Sequence, residues 1–353
     1  MDLVITDPVF DENIKYNAFE RWCISLIRDE RDLPFVKLSL RILLLVIPVS
    51  IFLFFHFIWW VAIPFLLFNI ATGLGPFILM MHNTSHRKLF KWEPLNKLIP
   101  WVLGPFYGET PETYFGHHIM MHHAEGNLID DLSCTMNYQR DSIIDFMKYF
   151  LLFFFFGMTD LGYYFKRKNR YKFLRKIILG EAGFFVMCII LWQFNWQATL
   201  TVFLLPFLIA RFGMMAGNWA QHAFIDATRP DNSYVNSITC INANYNKICF
   251  NDGYHIGHHL RPNMHWLDLP IEFQKNKDKY AENNAVIFKE IDFFVIWLLL
   301  VTKNYKYLAS KYIDLGNRFK SQEEVIAFLK QRVAAIPVTR VSPNANVIFN
   351  NIR

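Results

Sequence analysis

The sequence predicts an all-α integral membrane protein, with four transmembrane helices in two hairpins and a cytoplasmic helical cap that holds a polynuclear metal site. Three observations predict it. The 353 residues are 53% hydrophobic and 17% aromatic, more apolar surface than a soluble domain of this size buries. Two long intervals are almost free of charge. Ten of the twelve histidines fall in four short clusters: His82 and His86 in HNTSH, His117, His118, His122 and His123 in HHIMMHH, His222 in NWAQH, and His255, His258 and His259 in HIGHH.

Residues 1–41 read as a cytoplasmic N-terminal segment. The first 36 are polar and mixed in charge, without the short apolar core and cleavage site of a secretory signal. Phe19, Trp22, Cys23, Leu26 and Ile27 follow the spacing of an amphipathic helix that lies on the membrane surface or caps the metal domain. From Ile42 to Met81 there is no Asp, Glu, Lys or Arg; 40 residues suit two helices of ~20 each. This is the first hairpin, 42–81, with Trp59, Trp60 and Pro64 near its turn.

Residues 82–176 form a cytoplasmic histidine-box region. Within it Phe146 to Phe165 is apolar, but its uninterrupted stretch runs only from Tyr149 to Thr159, between Lys148 and Asp160. A fifth span there would place the first two clusters and the last two on opposite faces of the membrane, so the segment is expected in the interface. The second hairpin, 177–216, is interrupted only by Glu181 as far as Ala210, with its turn at QFNWQ, positions 193 to 197. Residues 217–336 return to the cytoplasmic cap. There Ile291 to Val301 is too brief for a span, and Ser321 with Glu324 announces a capped helix ahead of Val325 and Phe328. The tail, 337–353, is expected to be loosely ordered.

Basic residues set the topology. Arg21, Arg28, Arg31, Lys37 and Arg41 precede the first hairpin, Arg87, Lys88, Lys91 and Lys97 follow it, and seven Lys and Arg from Lys166 to Lys176 precede the second, while neither turn carries any. Both termini and every histidine cluster are therefore expected on the cytoplasmic side. The net charge of +6 is explained by these flanks and implies no nucleic-acid partner. Five cysteines without a CxxC pair suit a reducing compartment.

The clustering of histidines carries the chemistry. Composition alone would give on the order of 0.4 adjacent His-His pairs; the sequence has three. Spacings of three and four residues stack two imidazoles on one helix face, able to converge on one ion. Imidazole suits iron, zinc, copper or nickel. Nine or so ligands exceed the three or four that a zinc site uses, and HExxH is absent. Axial haem ligands would sit singly inside the spans. Two ions with four or five nitrogens each would absorb the set.

HNTSH, HIMMHH and HIGHH resemble the HxxxH, HxxxHH and HxxHH boxes of the membrane fatty acid desaturase and hydroxylase superfamily, over residues 82 to 259. NWAQH extends the resemblance, because an isolated histidine after the last span supplies a further ligand there. In acyl-CoA desaturases an Asn four residues before that histidine holds a water near one iron, as Asn218 stands to His222. The resemblance implies two non-haem iron ions, with O2 as co-substrate, held by His82, His86, His118, His122, His123, His222, His255, His258 and His259, and Asn218 acting through water. His118 and His122 form an i, i+4 pair and His117 and His122 do not, which places His117 behind the ligands. His56, inside the first span, and His265 match no box and are read as structural. Among Glu109, Glu112, Glu125, Asp130, Asp131 and Asp252, one or two would accept a ligand's second N–H; solvated loop carboxylates are the other reading for each.

Such a centre would reduce O2 and take hydrogen from an unactivated C–H bond of an acyl chain, with two electrons from an external donor, a small cytochrome or ferredoxin with its reductase. The chain has no Gly-rich nucleotide fingerprint of its own. The basic face either docks that donor or serves topology alone. Removal of a second hydrogen gives an alkene and makes the protein a fatty acid desaturase. A hydroxylase or an alkene-forming fatty acid decarboxylase shares the boxes, although alkane hydroxylases resemble longer chains with more spans. A histidine-rich metal transporter is the reading from another class, but its ligands would sit mid-membrane, where only His56 is expected. The protein would lie in the endoplasmic reticulum of a eukaryote or the inner membrane of a bacterium, among membrane lipids.

Overall fold

A computed structural model describes residues 3–337; the predicted loose tail therefore lies, but for its first residue, outside the described residues. Contacts divide the chain into two compact units. The first contains residues up to Val9, Met120–Lys168 and the chain from Phe212 onward; the second contains Phe10–Ile119 and Asn169–Arg211. These divisions cut the chain at other places than the charge pattern does.

Among the described residues four helices are long and apolar enough to cross a membrane: Glu30–Phe55, Trp59–His86, Tyr171–Phe194 and Trp196–Gln221. Glu30–Phe55 and Tyr171–Phe194 begin before their charge-free intervals, because Lys and Arg at a helix end extend their charged heads toward water while the backbone stays helical; Trp196–Gln221 runs past Arg211, which pairs with Glu181 at 3.0 Å, and Trp59–His86 contains no Lys or Arg. The first pair is separated by His56 to Ile58 and the second by Asn195 alone. His56 thus lies at the break between two helices, not inside a span, and Pro64 lies inside the Trp59–Asn69 helix, not at the turn. Pro64 has no N–H to give the Trp60 carbonyl, so this helix forgoes one i→i−4 hydrogen bond there. Asn195 is placed by its own amide, which donates to the carbonyl of Phe54 at 3.1 Å. Around it Leu53, Ala62, Phe184, Val202 and Phe203 pack together.

Two glycines let the loop before the second histidine box press against the spans. A Cβ on Gly180 would stand 1.8 Å from the Pro111 carbonyl oxygen, and Gly108, at φ +73°, has the Phe207 backbone 2.2 Å from where a Cβ would be. Only glycine fits either place. In the same unit the Ala18–Leu26 helix is capped by Asn17 and Glu20, buries Cys23, and leaves Phe19 and Trp22 exposed.

In the first unit the Ile143–Arg167 helix runs 25 residues, well beyond the apolar stretch, and it is not among the four apolar enough to span. Phe146, Tyr149 and Phe150 bury one of its faces against Trp219 and Trp297. The all-helical expectation is corrected here by two strands, β1 (Ile238–Ile241) and β2 (Val286–Lys289), paired in parallel. Strands of four residues, all buried in β1 and buried but for Lys289 in β2, are too short to show an alternating pattern in sequence. The Phe293–Val301 helix is largely buried, and Ser321 accepts from the Glu324 N–H to cap Gln322–Arg332. Residues near the N-terminus join this unit: Asp7, buried, accepts from the Asn242 N–H at 2.7 Å, from Asn246 Nδ2 at 3.0 Å and from the Tyr254 hydroxyl at 2.6 Å.

Candidate metal centre

Histidines gather within each unit. In the second unit, His82 and His86 occupy the last turn and a half of the Trp59–His86 span, one turn apart, with ring centroids 5.2 Å from each other. His118 closes the group at 4.5 Å from His82 and 5.5 Å from His86. In the first unit, His122, His222, His255 and His259 bring one nitrogen each within 4.8 Å of the others. Nitrogens bound to one ion at about 2.1 Å lie at most about 4.2 Å apart, so only a small contraction separates this group from a coordination shell. Also in the first unit, His123 and His258 face each other with Nε2 atoms 2.9 Å apart.

The four-residue spacing of His118 and His122 predicts two rings on one face of an α-helix, converging on one ion. Residues His118–His122 instead form a π-helical turn, and the two rings enter different groups. The extra residue in an i→i+5 turn changes the angle between side chains four apart. In the third box, by contrast, His255 and His259 are one turn apart in the His255–Leu260 helix and do meet, Nε2 to Nε2 at 3.0 Å. His117 joins neither group. His265 is buried, stacked beside Trp266, and accepts from the Leu267 N–H at 3.1 Å.

Hydrogen bonds behind the rings fix which nitrogen is offered. Asp131 Oδ2, buried, lies 2.7 Å from His122 Nδ1; a carboxylate only accepts, so Nδ1 carries the proton and Nε2 keeps its lone pair. The Asn236 carbonyl does the same for His222 Nδ1 at 2.8 Å. The bare Nε2 of His222 then stands 3.3 Å from His255 Nε2, itself 3.0 Å from His259 Nε2. Protonation of Nδ1 in His122 and His222 leaves two bare Nε2 atoms in one buried group, a donor set that fits a bound transition metal. Burial drives the His222 imidazole down to about 4 and His259 well below its usual range, so both are neutral ligands at physiological pH.

The loop between the second box and the Ile143–Arg167 helix is the scaffold of this group. Asp131 also accepts from the Asn127 N–H at 2.8 Å, the Ser133 N–H at 2.8 Å and the Ser133 hydroxyl at 2.7 Å. Asn127 Nδ2 donates to Asn236 Oδ1 at 2.7 Å, and the Thr135 hydroxyl donates to the His222 carbonyl at 2.7 Å. Asn218 Nδ2 donates to the Ser133 carbonyl at 3.0 Å. Of the six acidic residues near the boxes, Asp131 hydrogen-bonds to a box histidine, His122. Asp130 pairs with Arg167 at 2.7 Å, Glu125 with Tyr164 and Lys168, Asp252 accepts from Tyr245, and Glu112 accepts from Trp101. Glu109 is buried, and its carboxyl is pushed up to about 7, chiefly by burial. Asn236 and Asn127 carry no sequence signal, since one acts through a carbonyl and the other through a loop.

Among the described residues no histidine lies in the middle of a span: His56 sits at a break, His82 and His86 at a span's end, and the rest outside the spans. Residues 26–290, three quarters of the chain, match the family model described as fatty acid desaturase. No curated protein and no solved structure gives a significant match.

Proposed function

The chain belongs to the fatty acid desaturase family, within the membrane desaturase and hydroxylase superfamily of oxidoreductases, and from that premise we propose that it is an O2-dependent fatty acid desaturase with two non-haem irons. The observation that carries the reading is the set of buried imidazoles whose Nδ1–H groups are held from behind by Asp131 and Asn236 while their Nε2 atoms converge. The ligands are His82, His86, His118, His122, His123, His222, His255, His258 and His259, with Asn218 acting through water. Bound iron supplies the reductive activation of O2 that saturated carbon requires.

The protein's own part is orientation and exclusion. Asp131 and Asn236 fix the tautomers of His122 and His222, burial keeps His222 and His259 neutral, and His122, His222 and His255 are themselves buried from water. An acyl chain loses two hydrogens; O2, two electrons and two protons become two waters. The electrons come from a separate small cytochrome or ferredoxin. The four spans form two hairpins with both termini and the histidines on the cytoplasmic side, supported by the Lys and Arg flanking the spans.

The test is product analysis with a labelled C16 or C18 acyl substrate, a redox partner and O2. An alkene of unchanged carbon number is expected. An alcohol, or a chain one carbon shorter, would replace desaturation by hydroxylation or decarboxylation within the same superfamily.

A further inference from the structure

The Ile143–Arg167 helix contributes a side chain that the histidine boxes do not announce. Tyr149 is 2% exposed, and its ring is wedged between Trp219 and Tyr138 at centroid distances of 5.1 and 5.5 Å. Its hydroxyl accepts from Asn218 Nδ2 at 2.7 Å and donates to the Ser133 carbonyl at 3.1 Å. Asn218 Nδ2 has two N–H groups, and the second goes to the same carbonyl at 3.0 Å. Both donors of that amide are therefore committed to fixed acceptors, and the carboxamide cannot turn over without losing two hydrogen bonds.

Asn218 stands one helical turn before His222, whose N–H donates to the Asn218 carbonyl at 3.1 Å, so the two side chains share a face. Ser133 links the same hydroxyl to the other side of the group: its N–H and Oγ–H both go to Asp131, which holds His122. One hydrogen-bonded network thus runs from the imidazole of His122 to the amide of Asn218, with Tyr149 as its member on the neighbouring helix.

We propose that Tyr149 is a positioning residue that locks the Asn218 carboxamide with its nitrogen turned to the protein and its oxygen left as the acceptor at the metal centre. A freely flipping amide would present N–H donors to the centre for part of the time. The locked amide presents an acceptor only, and so favours a hydrogen-bearing molecule beside His222. The inference rests on the di-iron reading above.

The experiment uses the full-length, iron-loaded protein in detergent and reads two quantities: iron per chain, and the dissociation constant of azide from the oxidised centre by absorption titration. Azide is an acceptor without hydrogens, so it should meet an acceptor at Asn218 unfavourably. The variants are Tyr149→Phe, Asn218→Ala and the pair together; phenylalanine keeps the ring packed between Trp219 and Tyr138. Tyr149→Phe should keep the iron content of the unmodified protein, and each single variant should tighten azide binding by about 10-fold, the worth of about one hydrogen bond. The pair should be no tighter than Asn218→Ala alone, because Tyr149 acts only through that amide. Additive effects, or an unchanged azide constant in Tyr149→Phe, would overturn the proposal. So would loss of iron from Tyr149→Phe, since the hydroxyl would then be holding ligands in place. An unmodified protein that binds no iron would instead overturn the di-iron reading.

Discussion

Asp131→Asn removes one charge and changes no shape, so it isolates what the carboxylate does for His122. Asp131 is 1% exposed and accepts four hydrogen bonds, from His122 Nδ1, the Asn127 N–H, and the N–H and hydroxyl of Ser133. An amide has one acceptor oxygen where the carboxylate has two. Turned one way its NH2 faces the Ser133 N–H, and turned the other it faces the Asn127 N–H and His122. Either orientation deprives a buried backbone donor, which costs about 1–3 kcal/mol of stability. The neutral amide also polarises the His122 imidazole less, and losses of this kind lower metal affinity about 10- to 100-fold, or about 1.4–2.7 kcal/mol. The assay is competition for iron against a chelator of known affinity, with thermal unfolding of the metal-free protein beside it. Asp130→Asn is the control: its carboxylate pairs with Arg167 and Lys168 at the surface, where loss of a pair costs about 1 kcal/mol or less and leaves iron binding alone. Iron affinity in Asp131→Asn within twofold of the unmodified protein, or equal effects at both positions, would refute the reasoning.

Four other substitutions probe the surrounding frame. Gly180→Ala should cost about 2 kcal/mol or more in thermal unfolding, because the new Cβ would lie 1.8 Å from the Pro111 oxygen; unchanged stability would show that the spans and the loop shift apart freely. Glu109→Gln should remove a pH dependence. The folded carboxyl titrates at about 7 against an ordinary 4.5, so the folded state holds a proton that the unfolded chain has lost, and stability falls as pH rises from about 4.5 to 7. Melting temperatures across that range should decline less steeply in the glutamine variant, and parallel curves would contradict it. Asp7→Ala leaves the Asn242 N–H, Asn246 and the Tyr254 hydroxyl without their common acceptor and should lower both stability and iron content, read by unfolding and metal analysis; iron retained at full stability would show that the N-terminal residues are dispensable to the third box. Arg140→Met should destabilise by about 3 kcal/mol or more, since the buried guanidinium donates to the carbonyls of Thr135, Met136, Tyr138, Ala223, Arg332 and Ala334; a methionine variant that melts like the parent would contradict it.

Particular residues mark the boundary between what the amino-acid sequence discloses and what only folding brings about. The intervals beginning at Ile42 and Ile177 disclose spans because a bilayer excludes charge over a fixed length, a constraint local in sequence. The His82 and His86 pair is legible for a similar reason, as one helical turn joins the two. His118 and His122 show the limit: a π turn alters the geometry of a four-residue spacing without changing its letters. Asp131 stands among six plausible acids, and only the fold of the loop from Asn127 to Thr135 distinguishes it. Asn236 is invisible in sequence because its backbone oxygen holds His222 and every residue has one. The β1–β2 pair joins segments more than forty residues apart, each four residues long, which no local pattern reveals. The role of Asp7 depends on contacts more than two hundred residues away.

Metal analysis by mass spectrometry tests the central claim most directly, on full-length protein expressed with iron and purified in detergent without chelators. Two irons per chain, falling when His122 or His258 is changed to Ala while the protein still inserts in membranes, is the result the account predicts. One zinc or copper per chain without iron, or iron unchanged in those variants, would contradict it.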